Sequence, residues 1–134
     1  MAPSQFKRLI EGKRHKSIRG NMEISPERAY WLLRSLSYRS TRLHFAGLIA
    51  GESGVCDATI VALELARHLL VVELFDDVDQ RSWCRSIPLI DASFHLSMMG
   101  DLDFAWAEHG FHLVLELRYP DATTLLFAER LRAD

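Results

Sequence analysis

Within residues 101 to 112 the chain gathers Asp101, Asp103, Glu108, His109 and His112, the residue types that coordinate zinc, iron or manganese. Imidazole nitrogen and carboxylate oxygen suit those divalent ions. The spacing argues against a closed site. Gly110 stands where a helix ends and Phe111 opens a strand, so the two imidazoles fall on different elements, and no paired-histidine helix motif completes a ligand set. The expectation is therefore no metal and no cofactor, with the acids and histidines of 101–112 kept as an alternative enzyme or metal site.

A second group of oxygen donors is the acidic run Asp76, Asp77 and Asp79, preceded by Glu73. It lacks the sharp-turn glycine and the closing glutamate of a calcium loop. These acids read better as a solvated hairpin tip or as an anionic patch that a basic protein partner recognises, and Asp76, Asp77 and Asp79 are the expected protein-binding residues. Candidate nucleophiles are Cys56, Cys84 and Ser53, but Gly51-Glu52-Ser53-Gly54 lacks the spacing of a hydrolase elbow. Two cysteines are too few for a disulfide framework and read as small core hydrophobes. No lysine follows residue 16 to serve a phosphate-cradling loop. Trp31, Trp83 and Trp106 lie on three separate expected elements, where core packing or a partner surface explains them better than an aromatic cage.

The remaining charged feature is the N-terminus. Lys7, Arg8, Lys13, Arg14, Lys16 and Arg19 stand against one acid, Glu11, so residues 1–21 carry +5 while the rest of the chain carries −7, giving the overall −2. Such an arm would neutralise phosphates, and these six cations are the candidate nucleic-acid contacts of an alternative reading, a nucleic-acid-associated regulator. The acidic body would repel a polyanion, which ranks that reading second. The arm has too little apolar surface to join a core and is expected to be flexible. Met22, just before a strong helix signal, also suits a native start.

The elements that position these residues follow from periodicity. Ser25-Pro26-Glu27 combines an N-cap, a proline at the first helical position and an acid near the positive helix end, and Ala29, Leu32, Leu33 and Leu36 recur at helical spacing over 26–38. Residues 41–50 read as a strand, 51–54 as its turn, and 57–65 as a second strand, although helix remains an option across 57–70. Runs 69–75 and 81–90 form a hairpin with Pro88 at a sheet edge or at the end of pairing. Asp91 and Asp101 look like N-caps of two short helices closed by Gly100 and Gly110. His112–Tyr119 and Thr124–Leu131 make a terminal hairpin with Leu113, Leu115 and Leu117 inward and His112, Val114, Glu116 and Arg118 outward.

The expected fold class is α+β: one domain over 22–134 after the arm at 1–21, an antiparallel sheet of a meander plus C-terminal hairpin, and helices packed on one face. No apolar run is long enough for a membrane span, which points to the cytoplasm, and arginine usage outside the arm points to a bacterial source. The expected function is a small bacterial protein-binding module of the adaptor, inhibitor, immunity or chaperone type without catalytic activity. Its partner is another protein, a homodimer is compatible, and no membrane is involved.

Overall fold

The computed structural model describes residues 22–39, 42–49, 52–76, 80–98, 108 and 110–130. The basic arm, Asp77, Asp79, His109 and the expected helix starting at Asp101 lie outside these residues, apart from the exposed Glu108.

The chain enters with β1 (Met22–Ile24) and turns into α1 (Pro26–Arg39). Ser25 caps the helix: its Oγ accepts from the Arg28 amide at 3.2 Å, and its carbonyl accepts from Ala29 at 3.0 Å. Ala29, Leu33 and Leu36 form the fully buried stripe of α1. Four strands follow as a meander: β2 (Arg42–Ile49), β3 (Glu52–Glu64), β4 (Leu69–Asp76) and β5 (Arg81–Pro88), with a short 3-10 turn at Leu65–Arg67. A second meander is built from β6 (Ser93–Met98), β7 (Phe111–Arg118) and β8 (Thr124–Arg130).

Among the described residues these strands form one antiparallel sheet of eight, in the order β1-β6-β7-β8-β2-β3-β4-β5. The seam between the two meanders is β2 against β8, where Phe45 faces Phe127. The sheet curls. Tyr119, just past β7, donates its hydroxyl to the Pro88 carbonyl at the end of β5 at 2.7 Å, although β7 stands third and β5 eighth in the order. Inside the curl, α1 touches both β3 and β6, and the Tyr30 ring meets Phe94 edge-on at 5.9 Å. The inner face of the sheet and the apolar stripe of α1 together make the core, including Leu43, Ile60, Leu70, Ile87, Phe94, Leu115 and Phe127. Each such side chain contributes roughly 1.5–3 kcal/mol by leaving water.

Several expectations are met. The helix, the strand over 57–65 and both hairpins form, and Pro88 ends β5 at the sheet edge, where its missing donor leaves no bond unmade. Others need correction. The described residues hold one α-helix, so the α+β description holds only coarsely for a sheet-dominated chain. The expected helix at 91–100 is β6: Phe94 and Leu96 point into the core two residues apart, and the segment bonds to β1 and β7 on both sides. Ser53 and Gly54 are strand rather than turn, because Ile49 already pairs with Glu52. Gly54 lies opposite Gly47, whose φ of 150° and close approach to Leu125 and the Thr124 carbonyl leave no room for a side chain. In β3 a bulge at Val61 shifts the register, so Ala58, Ile60 and Leu63 face inward while Val61 is exposed.

The terminal hairpin carries the largest surprise. Leu113, Leu115 and Leu117 are inward and buried, yet Val114 and Glu116 on the opposite face are buried too. Glu116 is thus not the exposed residue that simple alternation places there.

Candidate functional site

Antiparallel partners share a face, so the registers place the polar side chains of the outer face in rows across the strands. One row runs Glu23, His95, Glu116, Leu126 and Ala46. The next runs Ser97, Val114, Ala128, His44 and Asp57. Ser93 and Arg118 flank the first, and Phe111 and Arg130 flank the second. His95, Ser97, Glu116, Val114, Ala128 and Phe111 are all buried, so this is a low-dielectric surface carrying charge rather than a solvated one.

Glu116 and Asp57 have local partners there. Arg118 Nε donates to Glu116 Oε1, and Ser93 Oγ lies 3.2 Å from His95 Nε2. His44 Nδ1 stands 3.4 Å from Asp57 Oδ1 across the β2–β3 ladder. Burial lowers the pKa of His44, which Asp57 opposes and Arg130 reinforces. Burial likewise lowers His95, with Arg118 adding to the effect and Glu116 and Glu23 opposing it. Both imidazoles are therefore biased toward the neutral form. Cys56, beside Asp57 but packed against the inner core, has its thiol pushed up to about 11 by burial and by Asp57, which removes it as a nucleophile at neutral pH.

Of the residues singled out in the sequence, His112 is the extra residue of a bulge opposite Glu129 and donates from Nε2 to Glu129 Oε1 at 2.8 Å. That bond turns its ring toward β8. Among the described residues no group of three or more His, Cys, Asp or Glu side chains is placed to hold a metal ion. Asp76 is drawn into β4 as the register partner of Arg81 and is half-buried, so it is not a free loop charge; Asp77 and Asp79 lie outside the described residues. The six cations Lys7, Arg8, Lys13, Arg14, Lys16 and Arg19 also lie outside them.

The other distinctive surface is on α1. Trp31 and Tyr38, seven residues apart and so two turns along one side, are 71% and 79% exposed on the side opposite the buried stripe. Glu27 and Arg34 share that side. Helical periodicity alone marks both aromatics as outward, because Ala29, Leu33 and Leu36 fix the inward direction. The buried polar rows have no comparable sequence signal: in a strand, polar residues at alternate positions read as solvent-facing.

No helix among the described residues is long and apolar enough to cross a membrane. Comparison with known proteins gives no matching family model, no matching curated protein and no matching solved structure.

Proposed function

We propose that the chain is a small cytoplasmic bacterial protein-binding module without catalytic activity of its own, docking through the outward side of α1. The observation that carries this reading is the pair Trp31 and Tyr38, two large aromatics exposed on a helix anchored by a fully buried stripe. Tryptophan and tyrosine supply much of the energy at protein interfaces, and a rigid helix presents them at little ordering cost. Arg34 between them adds a third residue type enriched at such surfaces. Asp77 and Asp79 keep the steering role toward a basic partner, while Asp76 is assigned to β4.

The test is capture from the native host with parent and Trp31→Ala/Tyr38→Ala protein, each shown folded by circular dichroism. A partner retained by the parent should bind the double variant at least about thirtyfold more weakly, as loss of ~2 kcal/mol from hot-spot residues gives. Equal retention places the interface elsewhere. Recovery of nucleic acid alone, released by salt, would replace this reading with the regulator alternative.

A further inference from the structure

Among the described residues, the buried side-chain nitrogen and oxygen atoms with no hydrogen-bond partner are Ser97 Oγ and Arg130 Nε and Nη2. All three can donate, and guanidinium nitrogens cannot accept. Register and alternation put Ser97 and Arg130 on the same outer face, with β7 between them. The Arg130 guanidinium lies over the Phe111 ring of β7, 5.0 Å from its centroid. Its stem packs over Gly110, where an added Cβ would meet Arg130 Cγ at 3.4 Å.

The two bare nitrogens form one edge of the guanidinium. Nε–H and the neighbouring Nη2–H point the same way, and that edge matches two oxygens of a carboxylate or phosphate. Described carboxylates nearby make bonds of their own: Asp57 to His44, Glu116 to Arg118 and Glu129 to His112. His44 borders the site, its ring edge-on to Phe111 at 5.1 Å.

We propose that Arg130, held over Phe111 and bordered by His44, is a binding site for a small oxyanion of the phosphate or carboxylate class. A buried fork of two donors without acceptors is costly, and a bidentate oxyanion would satisfy both at once. The donors have no accessible surface, which suits a group of few atoms rather than a peptide or a nucleic-acid strand. Arg130 as a whole is only half-buried, so part of the residue borders solvent. The site is separate from the α1 surface and does not depend on it.

Inorganic phosphate is the first probe and citrate the second, each titrated into the full chain at low ionic strength and compared with sodium chloride at matched ionic strength. The expected result is a rise in the unfolding midpoint with phosphate or citrate beyond that with chloride, the larger rise identifying the preferred class. Arg130→Met keeps the stem over Gly110 and removes the donors. It should weaken binding by about ten- to hundredfold, the worth of a charged hydrogen-bond pair, while matching or exceeding the parent's stability without added anion. Arg130→Lys, a point charge without the fork, should bind more weakly than the parent. Phosphorus NMR line broadening by the parent, reversed by citrate, reads the same site without any variant. Midpoints that follow only ionic strength, no line broadening, or an undiminished response in Arg130→Met would each overturn the assignment.

Discussion

Replacing Glu116 by alanine tests the two-sided burial of the terminal hairpin. The Glu116 side chain is 8% exposed and accepts a charged hydrogen bond from Arg118, whose own side chain is 32% exposed. Removing a partner from a fully buried ion pair costs about 3–5 kcal/mol, because the remaining charge is stranded. Arg118 is not stranded. Water reaches its outer part, so the loss falls toward that of one charged hydrogen bond, about 1.5–3 kcal/mol. Leu115→Ala, on the inner face of the same strand, should cost about 2–5 kcal/mol by opening a cavity. The two variants should thus be comparably destabilised, whereas a strand exposed on one face would leave Glu116→Ala within about 0.5 kcal/mol of the parent. Urea unfolding at constant slope separates these outcomes. Glu116→Gln keeps the shape and isolates the charge, and a double-mutant cycle with Arg118→Ala reads the coupling directly. If Glu116→Ala is silent while Leu115→Ala is not, the outer face is solvated and the burial described for it is wrong.

Stability should fall on acidification below the ordinary histidine range. His44 and His95 have folded pKa values below their unfolded value of about 6.5, so their contribution is complete above that value and is lost as the pH falls from there through the folded pKa. Unfolding free energies from about pH 8 to pH 5 should show this slope, and it should flatten in His44→Gln and His95→Gln; a flat profile in the parent would refute it. The two thiols should also react unequally. Cys84 is exposed on the edge strand β5, whereas Cys56 is half-buried with a pKa of about 11, so an alkylating reagent should modify Cys84 promptly and Cys56 only on unfolding. Equal rates in the native state would place Cys56 outside the core margin.

What the sequence made legible was local. The cap at Ser25 and the spacing of Ala29, Leu33 and Leu36 specify α1, and alternation around Leu113, Leu115 and Leu117 specifies β7. The errors lie where a local signal met a tertiary constraint. Asp91 resembled an N-cap and Gly100 a helix end, but Phe94 and Leu96 fill the core only two residues apart, and the neighbouring strands claim the backbone of β6. The glycines of 51–54 suggested a wide turn, whereas Ile49 already pairs with Glu52 and Gly54 continues the ladder opposite Gly47. The outer-face rows assemble from β1, β2, β3, β6, β7 and β8, so no stretch of sequence holds enough of them to stand out. Arg130 illustrates the point: its neighbours Phe111 and His44 come from other strands, and only register joins them.

The β2–β8 seam has a consequence for how the chain acquires its structure. Each meander is stitched by short-range pairing, but His44 meets Ala128 across most of the chain's length. Closing so long a loop is an entropic cost met before the contact rewards it, which slows folding relative to a purely local topology. During synthesis β2 to β5 emerge well before β8, and until β8 arrives one side of β2 presents unpaired amides and carbonyls. In that interval the open edge of β2 is exposed to pairing with a neighbouring chain, a hazard that ends when β8 docks.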